Sequence, residues 1–169
     1  MTAMDRATYL REVVAAYQGE VRGEATFATL AQLATDAGEI EIWRTLARLE
    51  ATTRRRLLPL MERYGLDTTP DEAQRRLGRE RAEARAAAGF AATLGSMAER
   101  LPPFVALYAR LEAEGPAGDR EELAFLNAHE IALHEFVTRA LAGEGLTSVL
   151  PNSLACVSTN GATQCRRDD

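Results

Sequence analysis

Apolar residues recur at helical spacing along most of the chain, whereas the alternation typical of β-strands is nearly absent. The pattern predicts four long bundle helices and, as the third of five segments, one highly charged helix: about 5–35, 39–64, 71–88, 91–114 and 119–142. Proline at position 70 followed by acidic residues is a helix-start signal for the charged segment. The Pro102-Pro103 pair is expected to kink the fourth segment.

Short connections that contain glycine or proline separate these segments, and such connections favour antiparallel neighbours. The sequence therefore predicts an all-α, antiparallel four-helix bundle over residues 1–146, with the charged segment as an extra helix. Residues 147–169 are rich in Ser, Thr, Asn and Cys and have no helical period, so we expect a flexible C-terminal tail there. The alternative is a contact element that folds onto the bundle or onto a partner.

Composition narrows the class of protein. The 169 residues, 46% of them apolar, suffice for one domain with a real core. A net charge of −5 argues against nucleic-acid binding, which requires neutralisation of phosphates. All 20 basic residues are arginine, which together with abundant alanine is typical of a GC-rich bacterial genome. Cys156 and Cys165 form neither a disulfide framework nor a metal motif of known spacing.

The chain contains no apolar run long enough for a transmembrane helix, and residues 1–10 lack the hydrophobic region of a signal peptide. We therefore expect a cytoplasmic protein that makes no membrane contact. The sequence is compatible with a small-molecule ligand and with a homodimer.

Glutamates interrupt the apolar stripes of three bundle helices. At about 100° per residue, Glu24 lies roughly 20° from Tyr17, in the middle of the first stripe, and Glu20 lies about 60° away, near its edge. Glu50 lies inside the stripe of the second helix, and Glu130 lies inside that of the last. We therefore expect Glu24, Glu50 and Glu130 to converge in the core as the candidate catalytic residues.

Burial of three ionised carboxylates costs several kcal/mol for each and adds mutual repulsion. A bound cation, shared protons with raised pKa values, or arginine and histidine partners must compensate. His129 and His134 flank the stripe of the last helix on opposite sides, and either can turn towards the carboxylates.

Three segments carry a resemblance to a known superfamily: QGEVRGEATFATLAQLA, LARLEATTRRRLLPLMERYG and LNAHEIALHEF. Over about residues 6–146 the chain resembles the ferritin-like proteins of rubrerythrin type. These proteins take one Glu from each of two helices and a Glu-x-x-His pair from each of the other two. Here Thr53 and Leu133 stand where the resemblance calls for histidine, and no helix-three glutamate faces inward.

The resemblance implies an Fe or Mn site of altered ligation with these candidate ligands: Glu20, Glu24, Glu50, Glu130 and His134. Two functions follow. A metal-free bundle would serve as a binding protein or as an acid/base enzyme that uses a glutamate, without any cofactor. A bundle that keeps Fe or Mn would be a non-haem oxidoreductase that handles O₂ or peroxide.

Overall fold

The computed structural model of the protein describes residues 4–144, which form six α-helices and no β-strand. The helices are α1 (Arg6–Leu33), α2 (Ala37–Arg63), α3 (Glu72–Ala88), α4 (Phe90–Arg100), α5 (Pro102–Glu114) and α6 (Arg120–Leu141). The all-α prediction is thus confirmed for this range, within which no helix has the length and apolar character needed to cross a membrane. The predicted C-terminal tail, 147–169, lies outside the described residues.

Aspartates begin the first three helices. The carboxylate of Asp5 accepts a hydrogen bond from the backbone N–H of Thr8, and Asp36 accepts one from Glu39, both at 3.0 Å. Asp71 caps α3 in the same way. These side chains satisfy N–H groups that have no partner within their own helix, and this explains where each helix starts.

The segment expected as one kinked helix is divided into α4 and α5 at Leu101. Pro102 and Pro103 have no N–H to donate to the preceding turn, so the helical ladder stops before them. Proline is tolerated in the first turn of a helix, and α5 begins at Pro102. By contrast, α2 continues through Pro59.

The core consists of two apolar clusters stacked along the helices. The first is built from the C-terminal half of α1, the N-terminal half of α2, α4 and the C-terminal half of α6; it includes Phe27, Trp43, Leu46, Met97 and Phe136. The second is built from the opposite halves of α1, α2 and α6 and from α5; it includes Tyr17, Leu57, Met61, Leu111 and Leu126. Helices α1 and α6 therefore run in one direction, and α2 and α4–α5 run in the other.

The charged helix α3 lies along α1. Gly78 makes this close approach possible, because a Cβ at that position would lie 2.5 Å from the backbone oxygen of Arg22 and 2.9 Å from the Cβ of Ala25. One face of α3 is thus held on α1, while Ala82 reaches the first apolar cluster. The charged helix is a packed part of the fold rather than an exposed appendage.

Candidate metal centre

Four ionisable residues lie between the two apolar clusters. Glu20 of α1, Glu50 of α2, and the adjacent His129 and Glu130 of α6 have exposures of 3%, 5%, 1% and 6%. Apolar residues of the two clusters flank them along every one of these helices. This polar layer is therefore built into the middle of the core and is shielded from bulk water.

The imidazole of His129 is the centre of the layer. Its Nε2 lies 3.5 Å from Oε1 of Glu50, 3.8 Å from Oε2 of Glu20 and 4.0 Å from Oε2 of Glu130. Glu20, Glu50 and His129 each offer one ligand atom, and the three atoms all lie within 4.8 Å of one another. Three helices thus deliver two carboxylates and one imidazole to a single point.

Thr53 fixes the orientation and protonation of the imidazole. Its hydroxyl donates to the backbone oxygen of Leu49 at 3.1 Å, so the single hydroxyl proton is already used. The same oxygen lies 2.7 Å from Nδ1 of His129, and with the hydroxyl proton on the Leu49 carbonyl it accepts the Nδ1 proton. In the neutral ring this leaves the lone pair on Nε2, which faces the carboxylates and is the atom that binds a metal.

One carboxylate oxygen of the layer lacks a donor. Oε2 of Glu20 is buried and, when Glu20 is ionised, has no hydrogen-bond donor within the described range; in its protonated form Glu20 can share its proton with Glu50. A buried oxygen without a donor costs about 1–3 kcal/mol, and more when it is charged. A cation at the point where the three ligand atoms converge would satisfy this oxygen.

Charge in the layer is balanced by protons when no cation is bound. Burial alone lowers the pKa of His129, but the charges of Glu20, Glu50 and Glu130 outweigh burial and raise that pKa to about 10. Burial raises the pKa of Glu130 to about 7, against the opposing effect of the His129 charge. Burial also raises the pKa of Glu20 well above its usual value. A divalent cation would displace these protons.

A glycine makes room for the Glu50 carboxylate. A Cβ on Gly23 of α1 would overlap the Glu50 carboxyl group, so no other residue is accommodated there without displacing Glu50. Gly23 is one helical turn from Glu20 along α1. The sequence therefore opens the α1 backbone at the position where a carboxylate from α2 must approach.

The spacing of the ligand atoms suits one transition-metal ion. With ligand bonds of about 2.1 Å, tetrahedral ligand atoms lie about 3.4 Å apart. The 3.5 and 3.8 Å separations around Nε2 need to shrink by only a few tenths of an ångström. Glu130, at 4.0 Å, is placed to become a fourth ligand. Carboxylates with one imidazole form a donor set that suits Mn, Fe or Zn.

A cavity of about 210 Å³ borders the centre. Glu20, Glu50 and Glu130 line it, and five apolar residues also contribute to its wall: Phe27, Met97, Leu101, Phe104 and Leu133. The buried Tyr108 of α5 also lines it, and burial together with the nearby carboxylates raises the pKa of its phenol well above the usual value. A small molecule in this cavity would contact both the centre and a neutral phenol.

The structure brings together two of the three glutamates expected to converge. Glu50 and Glu130 lie in the layer, but Glu24 does not. The Glu24 side chain is 37% exposed and accepts a hydrogen bond from Nε of Arg54 at 3.1 Å. His134 is half-buried and forms no ion pair with the layer. The expectation that Glu24 joins the cluster is therefore wrong, and Glu20 takes its place.

The reason for this error is the phase of α1. Contact with neighbouring helices follows a 3.5-residue seam, in which positions alternate by three and four: Tyr9, Val13, Ala16, Glu20, Gly23, Phe27 and Leu30. Glu20 lies in this seam, whereas Glu24 lies beside it. The alternating spacing of three and four residues was present in the sequence, but the seam was not recognised because Gly23 is not counted as an apolar residue.

His129 was expected only as an alternative to His134. It lies one position before Glu130 and is nearly fully buried, because α6 packs against α2, where Thr53 receives the ring. The absence of an inward glutamate on the 91–114 segment agrees with the expectation. Glu99 is exposed, and Glu112 accepts a hydrogen bond from Asn127 at 2.7 Å.

No protein-family model, curated protein or solved structure matches the chain. Functional inference therefore rests on the residues of the centre and on the cavity beside it. The ferritin-like resemblance therefore remains a prediction from the sequence.

Proposed function

We propose that this protein is a metal-dependent enzyme that holds one Fe or Mn ion between Glu20, Glu50 and His129, with Glu130 as a further ligand. Its substrate is a small molecule admitted to the adjacent cavity. The observation that carries this proposal is the convergence of three buried ligand atoms, one each from Glu20, Glu50 and His129, within 4.8 Å of one another.

The donor set favours Fe or Mn among the divalent ions. Three carboxylates and one imidazole provide mainly oxygen ligands, and the described residues contribute no thiolate. Four ligand side chains are enough for one ion but few for two. A bound Fe or Mn ion would supply redox chemistry with O₂ or peroxide, and the protein would then be a non-haem oxidoreductase.

The course of the helices supports the ferritin-like part of the proposal. Helices α1 and α6 run in one direction, and α2 and α4–α5 run in the other. Along the chain, α3 connects α2 to α4, and it packs on α1. A bundle with one long crossover has this order in ferritin-like folds. Thr53 then occupies the position of one family histidine and serves instead to hold His129.

The chain's own residues have definite tasks in this scheme. Thr53 holds the imidazole so that Nε2 faces the centre. Glu130, with a pKa of about 7, is suited to accept or return a proton at neutral pH. The Tyr108 phenol remains neutral and can donate a hydrogen bond into the cavity. Apolar wall residues limit the water that enters beside the centre.

Elemental analysis tests the proposal. Protein purified from cells supplied with iron and manganese should contain close to one equivalent of Fe or Mn. Glu50→Gln should lower this content at least tenfold, because it removes a ligand charge at the centre. Glu24→Gln is the matched control, since it removes the charge of another glutamate, one that pairs with Arg54 outside the centre.

Reconstitution of metal-depleted protein with Mn²⁺ or Fe²⁺ provides the second arm. Saturable binding by the wild type, absent in Glu50→Gln and retained in Glu24→Gln, would support the centre. Equal metal content in all three proteins, or no metal in any, would contradict it.

A second candidate function is supported by the protonation of the layer. Without metal, the His129 imidazolium lies among carboxylates, and Glu130 titrates near neutral pH. Such a pair suits metal-free acid/base catalysis on a ligand in the cavity. Under this alternative, activity survives exhaustive treatment with a chelator and is lost in Glu130→Gln. Activity that disappears with the metal and returns with Mn²⁺ or Fe²⁺ excludes it.

A further inference from the structure

Four arginines line the same cavity as the carboxylates. Arg22 comes from α1, Arg81 and Arg85 from α3, and Arg100 from α4. All four line the same cavity of about 210 Å³ as Glu20, Glu50 and Glu130. The cavity is therefore lined by both carboxylate and guanidinium groups.

None of these arginines forms an ion pair with a carboxylate in residues 4–144. This is unusual in a chain with 25 acidic and 20 basic residues, in which most other arginines of the described range have an acidic neighbour. The guanidinium group of Arg22 instead donates to the side-chain oxygen of Gln74 at 2.9 Å, which fixes it against α3.

The four positive charges lie close enough to affect one another. Burial lowers the pKa of Arg85, and the neighbouring charges of Arg100, Arg81 and Arg22 lower it further. Arg81 responds in the same way to burial and to Arg22 and Arg100. Like charges held together in a partly buried site repel one another, so an anion bound among them would stabilise the fold.

The cluster reaches towards the metal centre through a glycine. A Cβ on Gly19 would lie 3.8 Å from the Tyr108 hydroxyl and 4.0 Å from Nη2 of Arg22. The phenol and the guanidinium group therefore border the same open space. A ligand held by Arg22 would therefore lie near Tyr108, whose phenol is also close to the carboxylate layer.

We infer that the substrate of this protein is a small oxyanion, a carboxylate or phosphate compound, whose anionic group binds Arg22, Arg81, Arg85 and Arg100. Guanidinium groups bind both oxyanions through paired, charge-assisted hydrogen bonds. The cavity volume of about 210 Å³ admits a compact metabolite. The inference rests on the proposed function in one respect, since it assumes that the bound substrate reacts at the metal centre that borders the same cavity.

Isothermal titration calorimetry with the full-length, metal-loaded protein tests this inference. The probes are inorganic phosphate, succinate and the uncharged succinamide, at an ionic strength held constant with NaCl. We expect saturable binding of at least one of the two anions and no binding of succinamide. The better anion identifies whether the phosphate or the carboxylate group is the one recognised.

Arg85→Gln should weaken binding of that anion about tenfold or more, because it removes a charge-assisted contact in a partly buried site. Arg76→Gln is the matched control: Arg76 lies on the same helix, is exposed and faces only Glu80, at 3.8 Å. Arg85→Gln should also leave the melting temperature unchanged or raise it, because it relieves repulsion within the cluster. Arginines with a purely structural role would instead lower the melting temperature when removed.

The same samples separate this inference from the proposed function. Protein that contains metal but binds neither anion, binds succinamide equally well, or shows no weakening in Arg85→Gln overturns the oxyanion site. Protein that lacks metal but binds phosphate or succinate through Arg85 overturns the metal centre and leaves the oxyanion site standing.

Discussion

The hydroxyl oxygen of Thr53 lies 2.7 Å from Nδ1 of His129, a residue 76 positions later in the chain. Since the hydroxyl proton goes to the Leu49 carbonyl, this contact decides which imidazole nitrogen faces the three carboxylates. Partners that orient a metal-binding histidine in this way affect metal affinity although they do not touch the ion.

Thr53→Val should therefore weaken metal binding by about 10–100-fold while every ligand remains present. The buried Nδ1–H loses its acceptor, so we also expect a loss of about 1–3 kcal/mol in the free energy of unfolding of the metal-free protein. Competition with a metal chelator measures the affinity, and urea unfolding measures the stability.

Thr52→Val is the control for this substitution. Thr52 makes the same kind of hydroxyl bond to the backbone oxygen four residues earlier, Arg48, at 2.8 Å, but has no contact with the layer. Thr53→Ser should restore the affinity, because it restores the acceptor. Equal affinities for Thr53→Val and Thr52→Val would show that Thr53 does not orient the imidazole.

Gly23→Ala should displace the Glu50 carboxylate and reduce metal content, because the new Cβ would occupy its position. In an open helical position the same substitution stabilises a protein by about 0.4–1 kcal/mol. Gly95 of α4 is such a position, with no atom within 4 Å of a Cβ built there. We expect Gly95→Ala to raise the melting temperature and Gly23→Ala to lower it, as measured by circular dichroism. A rise for both would mean that Glu50 moves aside at no cost.

The stability of the metal-free protein should fall as the pH rises. The pKa of Glu130 is about 7 in the folded protein and 4.5 for an ordinary glutamate, so folding is favoured less as pH rises between these values. For His129 the values are about 10 and 6.5, so its contribution is present below pH 6.5 and is lost as pH rises towards 10. Deprotonation of Glu130 and deprotonation of His129 therefore both make the folded protein less stable as the pH rises.

Thermal unfolding of metal-free protein between about pH 5.5 and pH 9 measures this dependence. Glu130→Gln should remove the part of the decline that falls below pH 7. Added Mn²⁺ should stabilise the protein more at high pH than at low pH, because binding requires deprotonated ligands. A metal-free melting temperature that rises over this range would show that the layer is not held together by protons.

Asp119 is a buried carboxylate outside the layer. Asp119 is fully buried and accepts hydrogen bonds from the hydroxyls of Tyr9 and Tyr64, both at 2.7 Å, and from Arg63. Asp119→Asn should lower the free energy of unfolding by about 1.5–3 kcal/mol, because it weakens several bonds to a charged acceptor. Metal content should not change, since Asp119 lies near the turn before α6. A loss of metal in this variant would mean that this end of the bundle positions the centre.

The helices and two of the buried acids could be predicted from local sequence. Apolar spacing and aspartate caps determine where a helix forms, and Glu50 and Glu130 lie so far inside their stripes that a small error in phase leaves them buried. Pro102 and Pro103 were recognisable as an interruption, although not as a complete break between two helices.

Only the tertiary structure decided between Glu20 and Glu24, which lie one helical turn apart on α1. The pattern of one helix defines an apolar face about 100° wide, and both residues fall within or beside it. Packing against α2 selects the 3.5-residue seam that contains Glu20 and Gly23, and Arg54 of α2 receives Glu24 outside it.

The roles of His129 and of the four arginines depend even more on distant neighbours. His129 is a buried ligand candidate because Thr53 of another helix accepts its proton. The four arginines of the cavity come from three helices, α1, α3 and α4. Local sequence determines which face of a helix is apolar, but burial and charge in the centre depend on groups brought together from different helices, and no single segment specifies them.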